Sequence, residues 1–168
     1  MDSVETTSSG TDTVRSRAGK YLTFELNDEF YGLEILRVRE IISMQEITEV
    51  PRTPEFVKGV INLRGNIIPV VDLRMKFGLE KITVTRETCT IVVDLNGVQT
   101  GLMVDRVAEV QNIVEESIED APSFGSNADT DFLLGMGKTE ERVIMLLDIN
   151  AVLDAEEVAM LGKIQKDS

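Results

Sequence analysis

Carboxylates are the residues in this chain most able to do chemistry. They gather at Glu115, Glu116, Glu119 and Asp120 and again at Asp129 and Asp131. Two carboxyls can act as general acid and base when an apolar pocket raises the pKa of one. These stand in polar sequence with no apolar run to build such a pocket, the pattern of a solvated face. Asp129-Thr130-Asp131 lacks the glycine and glutamate that complete a calcium loop, and Gly135-Met136-Gly137-Lys138 lacks the spacing and Ser/Thr of a phosphate loop. Cys89, in CTIVVDL, keeps the company of a buried small hydrophobe rather than a reactive thiol. The chain has no histidine, which removes Ser-His and Cys-His nucleophiles, His-ligated zinc and His acid–base catalysis together. No enzymatic, metal or cofactor site is expected.

The residues left over suit protein contacts. VINLRGNIIPVVDLR (60–74) sets Asn62, Arg64, Gly65 and Asn66 between two apolar runs. Upstream, Val38, Ile41, Ile42, Met44, Ile47 and Val50 form a denser apolar series than one strand face needs, although core packing accounts for most of it. An arginine on a tight turn beside such a surface has the features of an interface anchor. An adaptor or scaffold is therefore favoured. The alternative, a small-molecule-binding β-barrel or a carboxylate hydrolase, would reveal itself by ligand-induced thermal stabilisation.

The elements that must hold these residues read as mainly β. The chain has 168 residues, a formal net charge of -13 and a pI near 4.4. That charge opposes binding to nucleic acid or to anionic membrane surfaces, because such affinity comes from clustered Lys and Arg. The start lacks an apolar signal region, and no run approaches the roughly 20 apolar residues of a membrane span. A single cysteine fits a reducing cytoplasm. Residues 1–19, rich in Ser, Thr and charge, read as a disordered arm, and removing residues 1–18 is expected to leave stability nearly unchanged. Hairpins are expected around Asn27-Asp28, Arg64-Gly65 and Asn96-Gly97. Pro69 argues for an edge or bulged strand, since it cannot donate to a ladder. APSFGSNADTD reads as a loop, RVIMLLDI as a buried strand, and NAVLDAEEVAMLGKIQK as one terminal helix capped by Asp148 or Asn150.

A repeat organises these elements. Shifting LNDEFYGLEILRVREI (26–41) by 69 onto LNGVQTGLMVDRVAEV (95–110) pairs Leu26/Leu95, Asn27/Asn96, Gly32/Gly101, Leu33/Leu102, Arg37/Arg106, Val38/Val107 and Glu40/Glu109 as identities. A weaker match at a shift of 76 sets IPVVDL (68–73) on IMLLDI (144–149) and Gly59 on Gly135. Two small β-barrels of about five strands, packed side by side, are the economical architecture. The expected units are 20–84 and 85–150, with strand exchange between them left open, and a C-terminal helix and tail at 151–168. Residues that recur, such as Gly32, Gly101, Asp72 and Asp148, should solve shared folding problems. Glu40 and Glu109 also recur and read as surface carboxylates. Arg64 falls opposite Glu140, so its charge is free to serve a partner.

VPRTPEFVKGVINLRGNIIPVVDLRMKFG (50–78), with FELNDEFYGLEILRVREI before it and GLMVDRVAEV and VIMLLDI after it, resembles the CheW family of bacterial chemotaxis coupling proteins. The resemblance runs from about Tyr21 to Leu161. It implies two five-stranded SH3-like barrels and a cytoplasmic, non-enzymatic adaptor. Such an adaptor joins the signalling tip of methyl-accepting chemoreceptors to the regulatory domain of the histidine kinase CheA, in arrays at the inner face of the cytoplasmic membrane. Position by position, the implied receptor-binding groove falls on Val38, Glu40, Gly59, Arg64, Gly65 and Val107, with Gly59 a close approach of backbone to partner. Kinase-binding surfaces are implied on the barrel ends without assigned residues. With neither a kinase nor a receiver segment recognisable, a free-standing coupler is expected rather than a part of CheA or of the hybrid protein CheV.

Overall fold

The structure, a computed structural model, describes residues 17–120 and 132–167. Most of the expected arm, the loop 121–131 and the carboxylates Asp129 and Asp131 lie outside the described residues. Eleven strands form two sheets among the described residues. The first has the order β8 (Arg106–Ile113), β1 (Gly19–Leu26), β2 (Glu29–Glu34), β11 (Val143–Leu147), β10 (Leu133–Lys138) and β9 (Ile118–Glu119). The second runs β3 (Val38–Ser43), β6 (Cys89–Leu95), β7 (Val98–Val104), β5 (Asn66–Asp72), β4 (Val57–Leu63).

Neither sheet comes from one contiguous half of the chain. Each repeat begins with a hairpin, β1–β2 or β6–β7, and its third strand then crosses to the other repeat's hairpin. Thus β3 pairs with β6 through Val38↔Val93, and β8 pairs with β1 through Val107↔Phe24, matching positions under the 69-residue shift. The parallel ladders match as well: Leu146↔Gly32 in one sheet, Val70↔Gly101 in the other. The units expected at 20–84 and 85–150 therefore exchange their hairpins.

Both sheets curl for the same reason. The chain leaving β3 bends until Thr48 bridges Val60 of β4, with two N–H···O bonds of 2.8 Å. The chain leaving β8 bends until β9 pairs with β10. One bent run thus joins opposite edges of each sheet, giving two five-stranded SH3-like barrels. Gly59 and Gly135 permit these closures. A Cβ on Gly59 would meet the Thr48 carbonyl oxygen at 2.1 Å, and one on Gly135 the Glu119 carbonyl oxygen at 2.8 Å.

Burial follows a period of two with both faces covered. On β6, Ile91, Val93 and Leu95 belong to the largest apolar cluster, which also holds Leu22, Phe24, Leu26 and Leu33 of the other sheet. Val92, facing the other way, joins Ile61, Ile68, Val70 and Met103 inside its own barrel. Tyr21, Ile113, Ile118, Ile144 and Leu146 fill the other barrel. Three cores result, one in each barrel and one shared between them, which is why the strands read as nearly unbroken apolar runs.

Four features differ from the sequence reading. β5 carries Pro69 but lies between β4 and β7 rather than at an edge, and its parallel ladder with β7 begins only at Val70, just past the proline. The terminal segment forms two helices, α2 (Ile149–Val152) and α3 (Ala155–Asp167), after a short α1 (Leu73–Lys76) that follows β5. Asp154 breaks it: its carboxylate accepts from the Glu157 N–H and Glu157 accepts from the Asp154 N–H, a reciprocal capping box. Residues 17–19 do not belong to a solvated arm, since Gly19 opens β1 and the Arg17 guanidinium donates to Glu115, Asp120 and the Leu134 carbonyl. Asp72 and Asp148, by contrast, are helix N-caps as expected, accepting from Met75 N–H and Asn150 N–H.

Candidate functional site

Three hairpins carry two-residue turns with both residues at positive φ: Asn27-Asp28, Asn96-Gly97 and Arg64-Gly65. Turns of this hand suit strand twist, and Asn, Asp and Gly tolerate them. Arg64, at φ 54°, is the misfit, and for a residue of its kind the left-handed region costs on the order of 1–2 kcal/mol. Asn62 offsets part of this by accepting the Gly65 N–H at 2.8 Å. The turn thus holds an unfavourable residue for what its side chain can reach.

That side chain reaches Glu40 on β3. Its two terminal nitrogens donate to the two carboxylate oxygens, Nη1 to Oε2 at 3.3 Å and Nη2 to Oε1 more closely. Arg64 remains 68% exposed in this pair and Glu40 33%, so the guanidinium keeps most of its surface for a partner. Glu40 and Glu109 recur in the repeat, but their side chains diverge, for Glu109 accepts from the Gln111 amide instead. Val38 and Val107, at the two crossing points between the barrels, are partly buried against the shared core. Gly65 is exposed on the turn. Gly59 is buried, and its need for glycine is met within the chain by Thr48 rather than by a partner. The structure therefore brings Arg64, Gly65 and Glu40 together, puts Val38 and Val107 at the barrel junction, and makes Gly59 framework.

A second surface was not singled out from the sequence. Leu36, in the 3-10 turn Ile35–Arg37 between β2 and β3, is 94% exposed. Its counterpart in the other repeat is Asp105, which Arg74 holds at 3.0 Å and the Asn27 N–H at 2.8 Å. The repeat breaks there as it does at Arg64, and that departure was the readable signal. Ile41 of β3 is also exposed, whereas Ile42, Met44 and Ile47 of the same apolar series pack into the barrel interior.

The carboxylate cluster does not form a catalytic pair. Arg17 bonds Glu115 and Asp120 and holds the Glu115 carboxyl below its ordinary pKa, opposite to what a general acid needs. Cys89 is half-buried, and desolvation pushes its thiol up, away from the thiolate a nucleophile requires. Among the described residues no group of carboxylates or cysteine is placed to hold a metal ion, and no helix is long and apolar enough to cross a membrane.

Paired barrels with contact surfaces in place of a reaction centre make this a scaffold. The comparisons give its family: the CheW-like domain matches residues 20–157, and the chain belongs to that family. It is 38% identical over 162 residues to the chemotaxis protein CheW of Klebsiella aerogenes, covering 94% of this chain and 98% of that one. With CheW of Bacillus subtilis the identity is 36%, covering 82% and 88%. The crystal structure of the scaffolding protein TtCheW from Thermoanaerobacter tengcongensis superposes with a TM-score of 0.75 at 39% identity, covering 83% of this chain and 95% of that one. The protein is a non-enzymatic chemotaxis scaffold, and the hydrolase and ligand-barrel alternative finds no support in its relatives.

Proposed function

We propose that the protein couples the cytoplasmic tips of chemoreceptors to the regulatory domain of the histidine kinase CheA, within receptor arrays at the inner face of the cytoplasmic membrane. The receptor face is the Arg64-Gly65 turn with Glu40, flanked by Val38 and Val107 at the barrel junction and shaped from below by Gly59. The observation that carries this reading is the misfit at Arg64, a cation held on a costly turn of a chain with net charge -13. The kinase meets the other departure from the repeat, Leu36 with Arg37 and Arg39 beside it, because an exposed leucine ringed by cations suits an apolar, acidic protein surface.

Titration of a receptor tip fragment and of the CheA regulatory domain against single variants tests both assignments. Arg64→Glu should lose the receptor and keep the kinase, and Leu36→Glu should do the reverse. Full retention of both partners by either variant would remove that surface from the account.

A further inference from the structure

The C-terminal helix is tied to both ends of β5, the strand that carries the Arg64-Gly65 turn. At its start, Lys76 of α1, just beyond β5, donates to the Glu157 carboxylate at 2.8 and 2.9 Å. At its far end, the Gln165 side-chain amide donates to the carbonyl of Ile67, the second residue of β5, at 3.1 Å and to that of Gln99 on β7 at 3.4 Å. Gln165 lies four residues beyond Leu161 and seven beyond Val158, both buried, so it occupies the core-facing stripe of α3 where an apolar residue is expected.

The repeat explains why a polar residue stands there. In the first sheet the parallel ladder reaches Ile144↔Phe30 and Met145↔Tyr31. The matching positions in the second sheet are Ile68, Gln99, Pro69 and Thr100, and there the ladder stops at Val70↔Gly101. Met145 has an N–H to give and Pro69 has none. Strands β5 and β7 therefore part at the proline, and the Gln165 amide occupies the fork, bonding one carbonyl from each side. No such insert is needed where methionine stands.

We propose that Gln165 is a positioning residue for the receptor contact: it replaces the donor missing at Pro69 and, with Lys76–Glu157, makes α3 a brace that sets the angle of the Arg64 turn against Glu40. Release of the helix end leaves the base of the turn unsupported while both barrels stay folded. This inference rests on the reading of Arg64 as the receptor contact.

The test compares wild type, Gln165→Leu, Arg64→Ala and the double variant in the full chain. Gln165→Leu should weaken receptor-tip binding about two- to tenfold, the range spanned by one hydrogen bond's net contribution. It should have no further effect in the Arg64→Ala background, since it acts through Arg64, and CheA binding should not change. In the free protein, amide exchange should quicken at Leu63, Asn66 and Ile68 and stay unchanged in β1 and β2. Equal losses in both backgrounds, or unaltered exchange at the turn, would overturn the proposal. If Arg64→Ala alone binds the receptor as wild type does, the receptor assignment falls, and the exchange pattern by itself decides whether Gln165 holds the turn.

Discussion

Gly59→Ala should be among the most damaging single-methyl additions in the molecule. A methyl there meets the Thr48 carbonyl oxygen at 2.1 Å and its carbon at 2.8 Å, atoms of main chain that cannot rotate away. Relief requires Thr48 to withdraw, breaking its two 2.8 Å bonds with Val60, which together contribute about 1–3 kcal/mol net. The new side chain must also live at φ 143°, a region that costs on the order of 1–3 kcal/mol. Together these give roughly 2–6 kcal/mol. Gly97→Ala is the control: its φ is 91° but nothing lies within 4 Å, so about 1 kcal/mol is expected. Gly135→Ala, with its nearest atom at 2.8 Å, should fall between. Urea denaturation followed by far-UV circular dichroism reads the order directly, with midpoint shifts on the order of 1–3 M for Gly59→Ala at ordinary m-values. Equal midpoints for Gly59→Ala and Gly97→Ala would show that the bridge at Thr48 does not close the barrel.

Removing residues 1–18 takes Arg17 away and should lower the melting temperature, whereas removal of residues 1–16 should not. Arg17→Ala should reproduce part of that loss, more at low salt than at high salt. Because Arg17 depresses the Glu115 pKa, the pair's contribution is present above the ordinary carboxylate value of 4.5 and is lost as pH falls through the lower folded-state value. The gap between wild type and Arg17→Ala should therefore narrow below about pH 4, and a gap of equal size at pH 3 and pH 7 would refute the pairing. Asp72→Ala should cost about 2–4 kcal/mol, since it strands two donors, Met75 N–H and the buried Ile82 N–H. Asp148→Ala, which strands one exposed donor, should cost about 1 kcal/mol.

The parts of the fold legible in the sequence were those written locally. Asn27-Asp28, Asn96-Gly97 and the apolar strands beside them carry their own turn chemistry, and Asp72 and Asp148 their own caps. The repeat exposed the two-barrel plan, and recurrence marked Gly32, whose Cβ would meet Ile144 and Leu146 at 3.2–3.3 Å, and Gly101, facing Thr90 at 2.6 Å, as framework. Hairpin exchange was not legible, because β3 and β8 are apolar whichever hairpin they join. Pro69 misled for an instructive reason: its missing donor is supplied from α3, almost a hundred residues away in sequence, and no local pattern records that. At the site, departure from the repeat found Arg64, while Leu36 shows the same departure and needed its exposure to stand out. Gly59 was assigned to a partner because the carbonyl it accommodates belongs to a bridge between Thr48 and Val60 that sequence periodicity does not reveal.

Exchanging the charges of the ion pair tests the central claim most directly. Glu40→Arg combined with Arg64→Glu keeps an ion pair between β3 and the turn, so urea midpoint and CheA binding should match wild type. A partner that reads the cation on the turn should no longer bind, and titration with a receptor tip fragment should show affinity reduced at least tenfold, about 1.4 kcal/mol. Wild-type receptor affinity in the exchanged protein would contradict the account, since the pair would then be framework and the receptor would bind elsewhere.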